Sequence, residues 1–292
     1  MNQVAPGYPA RGSEERMVLT EAVKEAQRAP SVHNTQPWRW RIRPGTIDLF
    51  ADWHRHLVTT DPDRRDLVLS CGAALHHLEV ALAARGLEAH IERLPDPEDE
   101  SHIATVTVQP GTPDPADAEL FPAIARRRTD RRRMSHRPVP PAELEALAGH
   151  AARKGAELIL MTGAMRRRLA QALGEAARRQ LRTPGYVSEL RMWTRRYAAA
   201  RDGIPTANIA PPPAGLLEPS PLRQFPGGRL RQPKQPPGRG PADDGAELLV
   251  RGRGSALLPS LGAHHRDRAL GAVQQRLAHR PEHQPGEAAA AV

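Results

Sequence analysis

Between two prolines, Pro30 and Pro37, four hydrogen-bonding side chains crowd into six positions: Ser31, Asn34, Thr35 and Gln36. A helical run over Met17 to Arg28 stops against Pro30, because the residue before a proline is driven out of the α region. Trp38 and Trp40 open an extended segment after Pro37. A second group of polar residues is the basic run Arg126 to Arg133, interrupted only by Thr129 and Asp130. The planar fork of arginine suits two-point contact with phosphate oxygens, and the Thr129 hydroxyl adds a neutral donor. A solvated basic face is the competing reading of that run. Together the clusters describe the holding of a polar, anionic ligand.

Other reactive side chains offer less. The paired histidines His54/His56, His76/His77 and His264/His265 have no cysteine or carboxylate at zinc-site spacing, so no metal is expected. His76 and His77 read as one core-edge and one exposed helix residue. Cys71 stands in an apolar helix, where a buried, inert thiol is expected. Ser31 with His33 lacks the glycine-framed elbow of a hydrolase nucleophile. Neither a dinucleotide glycine fingerprint nor a phosphate-binding P-loop occurs.

The chain has 292 residues, a formal charge of +9, 30 prolines, 23 glycines and 3% aromatic residues. Its length is ample for a core, but part of it should not pack. The charge suits anionic phosphate groups as well as nucleic acid, for which no module is recognisable. A single cysteine excludes an internal disulfide and fits a reducing cytoplasm. Neither a secretory leader nor a membrane span of ~20 apolar residues is expected.

The elements that must carry these residues follow from periodicity. Arg39–Arg43 and Ile47–Ala51 read as strands joined by a Pro44-Gly45 turn. Leu67, Leu75, Leu78 and Leu82 set a helix over 66–85 that Gly86 stops, and its Gly72-Ala73-Ala74 segment invites a close approach. Strands follow at Leu87–Arg93 and Ile103–Val108, then a linker over 110–118. The second part carries a helix over 142–154, a strand over 157–161, and helices over 165–180 and 188–200. These alternations predict an α+β fold. Residues 1–15 read as a flexible N-terminal tail, 16–225 as the folded domain with halves of about 16–110 and 119–225, and 226–292 as a low-order Pro/Gly/Arg-rich tail.

The stretch Ala29-Pro30-Ser31-Val32-His33-Asn34-Thr35-Gln36-Pro37-Trp38 resembles the flavin-contacting motif of nitroreductase-family FMN enzymes, and every fixed position is met. Arg127-Arg128-Thr129-Asp130-Arg131, followed by Pro138-Val139-Pro140, looks like the family's arginine-rich motif, with Thr129 in place of serine. Each half keeps one of the two motifs. That arrangement is similar to the single-chain Acg-type branch, with further agreement from Arg65, Glu189 and Trp193. The resemblance covers about Met17 to Phe225. It implies a nitroreductase-like mixed sheet flanked by helices, with two pseudo-repeated halves. It also implies FMN held by Ser31, Asn34, Gln36, Arg127, Arg128, Thr129 and Arg131. Arg131 would be the catalytic cation beside the reduced flavin, and Arg127 would hold the phosphate.

The implied activity takes electrons from NAD(P)H, through flavin, to a small electron-poor acceptor. NAD(P)H would bind only transiently, over the flavin. The implied protein is cytoplasmic, without specific nucleic-acid or membrane partners. It would be a monomer resembling an internal dimer, or a weak homodimer. The branch pattern should continue with another apolar helix, and its replacement here by arginine, proline and glycine suggests a shifted reading frame. The alternatives are an FMN-sequestering protein without turnover, or an inactive family member with an altered C-terminus.

Overall fold

A computed structural model describes residues 12–132, 139–194, 200–209, 229–231 and 248–252. Pro138 of the second motif, residues 195–199 of the helix read over 188–200, most of the C-terminal tail, and residues 1–11 lie outside the described residues. Contacts divide the described chain into two units. One holds residues up to 131 with 178–209 and 229–230; the other holds 132, 139–177, 231 and 248–252.

In the first unit the order is α1 (Ser13–Ala26), β1 (Trp38–Arg43), β2 (Thr46–Ala51), α2 (Arg65–Ala83), β3 (Leu87–Arg93) and β4 (His102–Pro110). The strands form one sheet in the order β1-β2-β4-β3, and every pairing is antiparallel. A mixed sheet was the expectation, and connection lengths explain the difference. The turn with Gly45 at φ 66° joins β1 to β2 as neighbours, and a short loop does the same for β3 and β4. The crossover through α2 returns β3 parallel in direction to β2 but one place removed. Strand β4 fills the gap, antiparallel to both.

Period two then sorts the faces. Ile47 and Leu49 of β2, with Ala104, Val106 and Val108 of β4, turn to the helices and are buried. Ile103 is buried as well because a bulge between Leu49 and Phe50 gives β4 an extra residue there. On the opposite face Asp48, fully buried, accepts two hydrogen bonds from Arg43 at 2.9 Å and one from Thr105 at 2.9 Å. Burial alone would raise its pKa; those hydrogen bonds and the Arg43 charge outweigh burial and hold it low.

α2 lays Leu67, Cys71, Ala74, Leu75, Leu78 and Leu82 on the sheet and against Leu19, Ala22, Val23 and Ala26 of α1. This 19-residue helix is long and apolar enough to cross a bilayer by composition, contrary to the sequence expectation, but its apolar residues serve this core. Gly72 does not mediate a close approach: it is exposed, and a Cβ there would meet nothing within 4 Å. Ala74 is the fully buried small residue of that segment. His76 and His77 are both half-buried, so neither is the exposed member expected.

Helix α1 begins at Ser13, so residues 13–15 are helical, and Glu15 is buried. The 110–118 linker holds α3 (Pro115–Ala118), capped by the Asp114 carboxylate on Ala116 N, and α4 (Phe121–Arg126) follows directly. Both start with proline in the first turn, where its missing N–H costs nothing. Both are too short to show a period.

The second unit contains α5 (Pro141–Arg153), β5 (Ala156–Leu160), most of α6 (Gly163–Arg182), and β6 (Leu248–Gly252) antiparallel to β5. Strand β6 falls in the segment read as lacking elements; Leu248-Leu249-Val250 is a short β-forming run in polar surroundings. α7 (Tyr186–Thr194) returns to the first unit, where Tyr186, Leu190, Ile204 and Ile209 form a small separate core.

Cys71 is fully buried and its thiol donates to the Pro37 carbonyl at 3.3 Å. Burial pushes its pKa up to about 12. The folded protein should therefore leave this thiol unreacted toward a colorimetric disulfide reagent at neutral pH, with full reaction on adding denaturant. Rapid labelling of the native protein would contradict the placement.

Candidate functional site

The loop after α1 is held in an unusual shape. Val32–Asn34 makes one 3-10 turn, and His33 (φ 51°), Asn34 (φ 56°) and Gln36 (φ 50°) all adopt the left-handed region without being glycine. Each such residue costs on the order of 1–3 kcal/mol and persists only where its surroundings over-determine it. Here they do. Ser31 Oγ accepts from Gln36 N at 2.9 Å. Val32 N donates to Ser70 Oγ at 3.3 Å, and that hydroxyl donates to Asp66 O at 2.6 Å. Thr35 is buried, and its carbonyl accepts from Arg55 Nη1 at 2.8 Å.

The two amides expected to face a cofactor are engaged with backbone. Asn34 Nδ2 donates to Gly203 O at 3.0 Å and to Arg201 O at 3.4 Å, while Gly203 N donates to Asn34 O at 3.0 Å. Gln36 Nε2 donates to Arg201 O. Both amide hydrogens of Asn34 thus face carbonyls, which leaves Oδ1 as its atom with capacity for a ligand.

The arginine motif leaves the end of α4. Arg127 Nη2 donates to Arg28 O at 3.0 Å, which sets this guanidinium at the start of the Ala29–Pro37 loop. Arg127 Nη1 donates to Thr129 Oγ1 at 3.3 Å, and its Nε is buried without a hydrogen-bond partner among the described residues. Arg128 is exposed and caps α4, donating to Ala125 O at 2.7 Å and Arg127 O at 2.8 Å. Arg131 is half-buried. The structure therefore sets Arg127 beside the loop and turns Arg128 to its own helix end.

The electrostatics around Arg127 are one-sided. Burial lowers its pKa, and the charges of Arg128 and Arg28 lower it further. Arg131 is lowered by burial and by Arg127, with Asp130 pulling the other way. On α2, burial, Arg127 and His76 together press His77 down to about 4, against a hydrogen bond to the Glu25 backbone. His77 Nδ1 is a second buried atom with no hydrogen-bond partner among the described residues. Positive charge accumulates here without an ion pair to Arg127 among the described residues.

Sequence reasoning passed over Arg55 and Asp202, named Arg28 only as a helix end and weighed His77 only as a metal ligand or helix residue. Arg28 carried one available signal, its place directly before the loop motif. Glu189 of α7, noted in the sequence, accepts from Thr59 N (3.0 Å), Thr60 N (2.8 Å) and Thr60 Oγ1 (2.7 Å). It ties α7 to the segment entering α2. Trp193 is buried, and its carbonyl accepts from Ile204 N at 2.7 Å.

Against known proteins the chain is 45% identical over 237 residues to a Mycobacterium tuberculosis protein named "Putative NAD(P)H nitroreductase Rv3131". This chain is a homologue of proteins named as NAD(P)H nitroreductases. The match covers 81% of the chain and 65% of that relative. A second relative, "Putative NAD(P)H nitroreductase acg", also of M. tuberculosis, is 35% identical over 193 residues, 66% of this chain and 58% of its own length. A third from that organism, named "Uncharacterized protein Rv3127", is 36% identical over 200 residues, 66% and 57% of the two lengths. The chain thus spans less than two thirds of the length of each of these relatives. No family model matches it.

His77 gives the site a pH signature. Unfolded, the imidazole takes a proton below its ordinary 6.5; folded, it does so only near about 4. The unfolded chain binds more protons in that window, so stability falls as pH drops through it. Replacing His77 by Asn should flatten the loss of melting temperature between neutral pH and about 4. An unchanged profile would show that burial and the neighbouring charges do not hold this ring neutral.

Proposed function

We propose that this chain is an FMN-dependent NAD(P)H oxidoreductase of the nitroreductase type, passing electrons from a nicotinamide to a small electron-poor acceptor. The observation that carries the reading is the Arg127–Arg28 hydrogen bond. It joins the second motif to Arg28, the residue directly before the first motif and 99 positions away, in a positive field with no ion pair to Arg127 among the described residues. The names of the relatives add support for the redox class and for NAD(P)H.

The donor set fits the phosphate end of FMN. Arg127 offers a buried, unpartnered Nε, which a dianionic phosphate would satisfy where water is excluded. Thr129, already bonded to Arg127, would add its hydroxyl. Arg131, half-buried and beside Arg127, is the cation we assign to the reduced ring. A fixed positive charge there stabilises negative charge as it develops, without reorganisation. The loop from Ser31 to Gln36 would present Asn34 Oδ1 from the other side.

Bound FMN would supply the hydride-accepting chemistry. The chain's own residues would bind, orient and provide the field. No side chain is required as acid or base, because solvent can protonate the product.

Titration should give one FMN per chain, since each half carries only one of the two motifs. Arg127→Ala should weaken binding by about 1.5–3 kcal/mol, roughly tenfold or more. Arg128→Ala, which removes an exposed cap, should cost much less. Equal losses for the two variants would contradict the phosphate assignment. Bleaching of the yellow protein by NAD(P)H marks the oxidoreductase, whereas a yellow protein that NAD(P)H leaves unchanged would be an FMN-sequestering one.

A further inference from the structure

Arg55 ends a one-turn 3-10 segment, Trp53–Arg55, that follows β2. Its guanidinium reaches three places at once. Nη1 donates to Thr35 O at 2.8 Å and to the Asp202 carboxylate at 3.0 Å, and Nε lies 3.5 Å from Asp52 Oδ2. Thr35 stands between the left-handed Asn34 and Gln36, so Arg55 grips the loop at its most constrained point. Asp202 stands between Arg201 and Gly203, whose carbonyls receive the Asn34 and Gln36 amides. This short segment is itself anchored on α7, through Ile204 N to Trp193 O (2.7 Å) and Thr206 Oγ1 to Thr194 O (3.3 Å).

We infer that Arg55 and Asp202 are positioning residues: their ion pair clamps the 201–203 segment behind the 33–36 loop and keeps that loop in its ligand-ready shape. Asn34 and Gln36 then act chiefly as fasteners through their amide nitrogens, and ligand contact falls to Asn34 Oδ1 and the remaining atoms of the loop. The physical reason is over-determination. Three non-glycine residues in the left-handed region relax once the bonds that oppose relaxation are removed. A loop already in its bound shape spares the ligand the cost of ordering it. A partly exposed ion pair such as Arg55–Asp202 contributes modestly to global stability. Its effect should therefore be local, on loop shape, with the sheet unaffected.

The inference rests on reading the loop as an FMN site, and the test separates the two. Amide hydrogen exchange of the full chain without FMN, compared among wild type, Arg55→Ala, Arg55→Lys and Asp202→Asn, reads the clamp alone. Flavin fluorescence titration of the same proteins with FMN reads its consequence. In Arg55→Ala, peptides covering 31–37 and 200–204 should exchange faster while those from β2 and β4 stay protected. FMN affinity should fall about tenfold. Arg55→Lys, which keeps the charge but not the fork, should fall between wild type and Arg55→Ala in both measurements.

Unchanged exchange in 31–37 would overturn the clamp. So would loss of sheet protection in all three variants, which would make the pair a determinant of the fold; faster exchange with undiminished FMN affinity would overturn the positioning claim. A wild-type chain that takes up no FMN would overturn the positioning claim together with the FMN reading. Faster exchange confined to the loop would still establish the clamp.

Discussion

A half-buried guanidinium that no carboxylate among the described residues answers is the constraint on which this site depends. Arg127 gives one N–H to the Arg28 carbonyl and another to Thr129, and leaves Nε enclosed and unpartnered. A buried donor left unmade costs about 1–3 kcal/mol, and more when charged. Arg28 and Arg128 add repulsion. A fold optimised only for stability would place an acid there, as it does for Arg43, whose bonds to Asp48 are complete. Concentrating cations and omitting the acid is destabilising in the empty protein and favourable once an anion arrives. Burial, aided by the Arg127 charge, holds His77 neutral and so prevents a further cation from forming beside the site.

The rest of the first unit makes that strain tolerable. The four-stranded sheet with α1 and α2 provides one contiguous apolar core, so the local costs at the loop and at Arg127 are set against a large favourable burial. The polar loop is attached to this core from below through Ser70 and Cys71 of α2, both buried, whose side chains meet Val32 N and Pro37 O. It is attached from behind through residues 201–203. α7 serves both attachments, since Glu189 holds Thr59 and Thr60 while Trp193 and Thr194 hold Ile204 and Thr206. The loop is thus built as a rigid fixture, which suits binding a large planar cofactor more than gating it.

What could be read from the sequence was what depends on near neighbours. The Leu67–Leu82 stripe, the Pro44-Gly45 turn and the stop at Gly86 (φ 71°) follow from period and backbone freedom, and the inert thiol at Cys71 from its apolar helix. α3 and α4 were lost because four and six residues cannot show a period. Gly72 misled because a small residue permits close contact without requiring it. For the site, the motifs named candidate residues but carried no information on their directions. The partners of Asn34 and Arg55 lie 169 and 147 positions away, at Gly203 and Asp202, in a segment whose own composition carries no signal. Which amide hydrogens are already spent is decided by that long-range closure.

The most direct test of the central claim compares FMN with riboflavin, which has the same ring and ribityl chain but no phosphate. If the Arg127 field is there for an anion, FMN should raise the melting temperature of the full chain and bind about tenfold or more tightly than riboflavin. Added salt should narrow the gap. Equal binding of the two flavins, or a preference for riboflavin, would contradict the account.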